Sequence, residues 1–276
     1  MTPPRRAPRD AEPLVSVRTD LGRVREVNED SVLARYPVYL VADGMGGHSR
    51  GDVASRTTIE VIDAAIPAGR PTAAAAIVEA VHAANAAVHA LGAETVSGTT
   101  LTGMAVSVSA EGEKHWTIVN VGDSRVYSWS GRTLTQLTVD HSVVQELIEA
   151  GELSPLEADR HPERNTITRA IGPFEEVEVD VWLLPYVDGQ SFLICSDGLT
   201  KELPLERMEH IFAAHTGDDG GSLADAVVEA ALASGGRDNV SAIVVETGGG
   251  DDATRVGTGT RERPRQLEDT LPRGIG

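Results

Sequence analysis

Cysteine, lysine and long apolar runs are all scarce in this chain of 276 residues. A single cysteine, Cys195, excludes an internal disulfide, and with no Cys/His cluster around it a thiolate zinc site is excluded as well. One free thiol agrees with a reducing compartment. No run of about 18 apolar residues occurs, so no helix is expected to span a bilayer. The opening MTPPRRAPRD lacks the apolar core of a signal peptide, and a cytoplasmic location is expected. Two lysines stand against 22 arginines, which fits a GC-rich coding sequence and says nothing about role. A Walker phosphate loop needs the dipeptide Gly-Lys, which is absent. A C-x5-R cysteine phosphatase would need arginine where the chain has Lys201, so Cys195 reads as a small buried residue at a strand end.

What the chain has in excess is acid. Its 42 acidic and 24 basic side chains give a formal charge of -18, which repels nucleic acid and anionic membranes at long range. Neither is expected as a partner. Such a charge ordinarily serves solubility. Its sharper use is that some carboxylates converge on divalent cations.

Residues 1–12 and 247–276 lack apolar periodicity and read as disordered ends around one domain spanning 13–246. Nine β-rich runs stand out between them: LVSVRT, SVLARY, VYLVAD, LTGMAVSV, HWTIVNVG, RVYSWS, EVEVDVWLL, SFLICSD and NVSAIVVE. Helical spacing is found over Asp52 to Ile66, Thr72 to Leu91, Ser142 to Ala150, Leu205 to His215 and Ser222 to Ser234. Strands in runs joined by short turns favour antiparallel pairing, and the two long helices are neighbours in sequence. An α+β domain follows, with sheets packed on each other or on helix pairs. No internal repeat is visible.

The stretch VADGMGGHSRG, Val41 to Gly51, admits three interpretations. A dinucleotide loop requires a third glycine where Ser49 stands. Gly47-His48-Ser49-Arg50-Gly51 satisfies G-x-S-x-G, but an elbow serine must sit directly off a buried strand, and here the apolar run ends at Ala42, well before Gly47. The third possibility is a carboxylate, Asp43, at the end of a strand and on a glycine-rich turn.

That pattern recurs. Asp197 follows the apolar run Phe192 to Cys195, Asp123 follows Trp116 to Val121, and Asp238 precedes Val240 to Val245. Were these strand ends on one side, the four carboxylates would share a cleft. First shells of carboxylate without histidine suit hard cations such as Mg2+ or Mn2+. Two such ions about 3.5 to 4 Å apart activate a water and clamp an in-line displacement at phosphorus. A guanidinium suits the remaining phosphate oxygens, and Arg25 is the candidate.

Eight segments in order, RTDLGRVREVNEDS, VADGMGGHSRGDVAS, SGTTLTG, VGDSRVY, LTVDHSVVQELIEAGEL, HPERNTITRAIG, LICSDGL and GGRDNVSAIVV, resemble the metal-dependent (PPM, or type 2C) serine/threonine protein phosphatases in their compact bacterial form. The resemblance covers Arg18 to Val245. It implies a four-layer α-β-β-α sandwich, two antiparallel sheets flanked by helix pairs. It also implies hydrolysis of phosphoserine and phosphothreonine by attack of a metal-bridging hydroxide, with no covalent enzyme intermediate. By motif, Asp43 resembles the bridging carboxylate and Gly44 a carbonyl ligand of one of two core Mn2+ or Mg2+ ions. Asp197 and Asp238 resemble the ligands of the other. Asp123, with the aspartate of SDG, resembles the holder of a third, weaker ion. Arg25 falls at the phosphate-binding arginine, and Glu29 with Asp30 at the acidic pair that orders water. Thr138 to Gly172 falls where the family has a mobile flap that bears on substrate choice.

One departure is Met45, where some eukaryotic members carry a histidine proposed to protonate the leaving group. A metal-bound water or His48 can take that role. His82 and His89 read as structural or exposed. The alternatives are a catalytically silent binding module of the same fold, which would be expected to lose a metal carboxylate and has lost none, and a serine hydrolase using Ser49. The expected partners are phosphoproteins, with a cognate Ser/Thr kinase and its substrates, and a monomer is expected. Thr254, Thr258, Thr260 and Thr270 in the tail are candidates for phosphorylation by such a kinase.

Overall fold

The computed structural model describes residues 12–46, 50–91, 97–158, 160–215 and 222–248. Side chains alternate between the two faces of a strand, and here both faces of the central strands are apolar, so each sheet has to be covered on both sides. In β3 (Val38–Met45), Val38, Leu40 and Ala42 join one core while Tyr39 and Val41 join another. In β10 (Ser191–Cys195), Leu193 and Cys195 divide in the same way from Phe192 and Ile194.

The first sheet has the order β1 (Leu14–Asp20), β11 (Val240–Glu246), β10, β7 (Arg125–Trp129), β8 (Leu134–Gln136). The second runs β2 (Asp30–Arg35), β3, β5 (Leu101–Val108), β6 (Lys114–Val121), β9 (Asp180–Pro185), with the two-residue β4 (Gly98–Thr99) on β3. The strand pairings are antiparallel. The helices α1 (Gly51–Ala65) and α2 (Ala74–Ala90) bury Ile59, Ile62, Ile77, Val81 and Val88 against the second sheet. On the first sheet lie α5 (Asp197–Glu202), α6 (Leu205–Ala214) and α7 (Leu223–Ser234). Between the sheets Tyr39, Met104, Trp116, Ile118, Phe192 and Ile243 form the third core. These layers make the α-β-β-α sandwich expected. The short helices α3 (Val143–Glu149) and α4 (Pro155–Ala158) lie between β8 and β9. No helix among the described residues is long and apolar enough to cross a membrane.

The five expected helices appear within two residues of their expected ends. The strand count differs, because β4 and β8 are too short to show as apolar runs. β9 also begins at Asp180 rather than Glu176, since Val177 and Val179 pack against the helix-side core without joining a sheet. Asp197, expected on a turn, is the first residue of α5, a helix of six residues that shows no periodicity. Folded elements extend from Leu14 to Glu246, and the tail threonines lie outside the described residues.

Trp116 is fully buried between the sheets, with ring centroids 5.5 Å from Phe192 and 4.9 Å from Tyr186, and its Nε1 donates to Gln190 Oε1 at 2.8 Å. Trp116→Ala is expected to cost about 3 to 5 kcal/mol in urea unfolding, and a loss below about 1 kcal/mol would contradict this inter-sheet core.

Candidate active site

The alternation that builds the inter-sheet core continues past its apolar part and turns polar. On β3, Tyr39 and Val41 face between the sheets, so Asp43 does too. On β2, Val32 and Ala34 face the same way and carry Asp30 with them, and the register sets Asp30 directly opposite Asp43. From the facing sheet the same rule brings Ser196 after Ile194, and Ser241 before Ile243. The Ser241 N–H donates to Ser196 Oγ at 3.0 Å, and Ser196 Oγ donates to Asp30 Oδ2 at 2.8 Å. This chain of bonds stitches one sheet to the other.

The remaining carboxylates arrive at the same end. Asp197 opens α5 directly after Ser196, Asp238 precedes β11, and Asp123 sits in the turn that carries the chain from β6 in one sheet to β7 in the other. Burial, followed by the charges of Asp30, Asp197, Asp123 and Asp238, pushes the Asp43 carboxyl well above the usual carboxylate range. Burial likewise pushes Asp30 up to about 7, against the hydroxyls of Ser241 and Ser196 and with the help of Asp197 and Asp238. Asp123 also reaches about 7 through burial, Asp197 and Asp140, opposed by Lys201 and Arg125. The four strand-end aspartates are thus brought together, with Asp30 as a fifth.

Arg25 stands half-exposed in the loop between β1 and β2, its Nη2 2.8 Å from Asp238 Oδ1. Asn239 shapes that loop. Its Nδ2 donates to the carbonyls of Leu21 at 2.9 Å and Val27 at 3.0 Å, and its Oδ1 accepts the Glu29 N–H at 2.9 Å. Burial raises the Glu29 carboxyl, while a hydrogen bond from the Gly51 N–H and the charge of Arg25 pull it back. The Gly44 N–H donates to the Glu29 carbonyl at 3.1 Å, and a Cβ on Gly44 would strike the Gly51 carbonyl and stand 2.6 Å from the Glu29 carbonyl. Only glycine fits where β3 meets α1. Thr100 Oγ1 accepts the Asp43 N–H at 3.0 Å and shares a hydrogen bond with Ser124 Oγ at 2.8 Å, which couples the Asp43 strand to the Asp123 turn.

The segment 138–172 is tied at its base to that turn. The Gly122 N–H donates to His141 Nδ1 at 3.0 Å, and Arg169 Nη1 reaches Asp180 Oδ1 at 2.7 Å beside His141. Met45 ends β3 opposite Gly98 and carries no titratable group. His48 and Ser49 lie outside the described residues. Cys195 is buried, and burial pushes its thiol up to about 12, which makes it a poor nucleophile. His82 and His89 are exposed on α2.

Sequence reasoning missed Lys201. Its Nζ pairs with Asp197 Oδ2 and lies 3.8 Å from Asp238 Oδ2. The signal was an i, i+4 spacing from Asp197, readable only once α5 is known to be a helix. It also missed Ser196 and Ser241, which as single serines carry no motif.

The donor set fits hard divalent cations. Asp30 Oδ1 and Asp197 Oδ1 are buried without hydrogen-bond partners, and the carboxyls around them resist ionisation in the absence of added positive charge. Among the described residues no three His, Cys, Asp or Glu side chains are grouped to cage one ion by themselves. Ions here would keep water in the positions that the carboxylates leave open, as Mg2+ ordinarily does.

The family model for protein phosphatase 2C matches residues 23–233, and the chain belongs to that family. The matched span takes in Arg25, Asp43, Asp123 and Asp197 and stops short of Asp238. A serine/threonine phosphatase, stp, of Listeria monocytogenes is 36% identical over 241 residues, covering 83% of this chain and 94% of that protein. The crystal structure of the Mycobacterium tuberculosis serine/threonine phosphatase PstP/Ppp superposes with a TM-score of 0.77 at 33% identity, covering 87% of this chain and all of that one. A catalytic domain of PstP in complex with two manganese ions superposes at 0.74, also at 33% identity, over 86% of this chain and 99% of that one.

Asp30 and Asp123 hold their protons to about pH 7 in the folded chain, against about 4 when unfolded. Between those limits the folded state binds more protons, so the stability they confer is complete below the unfolded value and is lost as pH rises through about 7. The melting temperature of EDTA-treated protein is expected to fall from about pH 5 to about pH 8, and saturating Mn2+ to abolish the fall. A flat metal-free profile would contradict the clustering.

Proposed function

We propose that the protein removes phosphate from phosphoserine and phosphothreonine in other proteins, using two Mn2+ or Mg2+ ions held at the Asp43 end of the sandwich. The observation that carries this reading is the convergence of Asp30, Asp43, Asp123, Asp197 and Asp238 on one side of a half-exposed arginine. Family membership and relatives named as serine/threonine phosphatases support it, as does the related structure with two manganese ions.

When bound, the two cations would supply an activated water and a clamp on the phosphate oxygens. Asp43, the Gly44 carbonyl, Asp197 and Asp238 would hold the two core ions, and Asp123 with Asp197 would border a third position. Arg25 is exposed enough to leave Asp238 and take the phosphate dianion through its planar fork. Glu29 and Asp30, fixed by Gly51 and Ser196, accept hydrogen bonds from water and orient it. Met45 has no proton to give, so the leaving alkoxide is protonated by water or by His48. The domain that does this spans 13–246, and the segment 138–172 beside it bears on substrate choice. The partners on this reading are phosphoproteins, a cognate Ser/Thr kinase and its substrates among them, met in the cytoplasm by a monomeric chain.

EDTA is expected to abolish hydrolysis of p-nitrophenyl phosphate and of phosphothreonine peptides, and Mn2+ to restore both. Asp43→Asn should remain folded by circular dichroism and lose about a hundredfold or more in kcat/KM, a transition-state cost of about 3 kcal/mol. Activity that survives chelation, or loss on Ser49→Ala in place of Asp43→Asn, would overturn the assignment.

A further inference from the structure

Lys201 is one of only two lysines in a chain that otherwise uses arginine, and it stands inside the carboxylate cluster. Its position follows from α5. Asp197 opens that helix, and the residue four further on lies over it one turn later. The helix is pressed against the start of β11, since a Cβ on Gly198 would strike the Asn239 carbonyl. Buried Leu199 and Leu203 hold it there from beneath. The ammonium is thus delivered to Asp197 Oδ2 and within 3.8 Å of Asp238 Oδ2, and the charges that hold it are those of Asp197, Asp123 and Asp238.

We propose that Lys201 is a built-in cation, occupying with its ammonium the position that a further divalent ion would take between Asp123, Asp197 and Asp238, so that the chain binds two ions rather than three. The proposal rests on the two-cation reading of the site given above. A lysine suits this role, because its ammonium is a compact positive charge on a flexible stem that reaches between carboxylates. Charge also balances. Five clustered carboxylates meet two divalent ions and one ammonium, while Arg25 and Glu29 offset each other beside them. A tethered cation is present at every metal concentration, so it relieves repulsion in the metal-free chain and makes a third ion both unnecessary and unwelcome. Lys201 acts through Asp197 and Asp238 and is a positioning residue.

The test is Mn2+ binding to the full chain by equilibrium dialysis, alongside melting of the metal-free protein at pH 8. The natural chain is expected to bind two ions. Lys201→Met is expected to bind a third, and to melt at lower temperature when metal-free. Lys201→Arg is expected to stay at two, because it keeps the charge. Three ions on the natural chain, or two on Lys201→Met with unchanged melting, would overturn the proposal. No Mn2+ on the natural chain would instead overturn the two-cation reading itself, so the two failures are distinguishable. Should Lys201→Met fail to fold, Lys201→Gln takes its place, and the stoichiometry of the natural chain decides on its own.

Discussion

Asp30 and Asp43 face each other across paired strands, at the end of a space whose walls are otherwise apolar, with three more aspartates close by. Like charges in direct cross-strand register destabilise a sheet, and partial burial sharpens the conflict by weakening the screening of water. Such a cluster can be relieved by protons or by cations. Burial and neighbouring carboxylates push Asp30 and Asp123 up to about 7, which favours the first route. Divalent ions offer the second at neutral pH, without giving up the negative charge that chemistry on a phosphate ester needs.

The carboxylates cannot escape the conflict by moving apart, because the fold holds their strands in place. Three close-packed apolar layers fix the separation and alignment of the sheets, and a packed interior does not deform to relieve a local charge. The serine chain from Ser241 through Ser196 to Asp30 ties the two sheets at their polar end, and Thr100 with Ser124 ties the Asp43 strand to the turn bearing Asp123. Gly44 lets the backbone of β3 pass close against Gly51 and Glu29, directly after Asp43. Arg25, paired with Asp238, and Lys201, paired with Asp197, supply the positive charge.

Much of this was legible in the sequence because the local signals were of the right kind. An apolar run ending in Asp-Gly marks Asp43 and Asp197 as strand-end carboxylates, and the run after Asp238 does the same in reverse. Adjacent long helices and short inter-strand turns pointed to layered antiparallel sheets. What could not be read was anything that depends on register or on elements shorter than one period. That Asp30 stands opposite Asp43 is a fact of pairing between β2 and β3. That Lys201 reaches Asp197 depends on six residues forming a helix, and that Ser196 meets Ser241 depends on two strands distant in sequence lying side by side. The strand expected from Glu176 failed for a related reason, since alternation alone does not supply a partner to pair with.

The most direct measurement is anomalous diffraction at the manganese edge from crystals of the full chain grown with Mn2+. The account predicts two strong peaks at the end of the sandwich between the sheets, one bordered by Asp43 and the Gly44 carbonyl and the other by Asp43, Asp197 and Asp238. Peaks confined to surface carboxylates away from Asp43, or no peak at all in crystals of protein that hydrolyses phosphothreonine peptides, would contradict it.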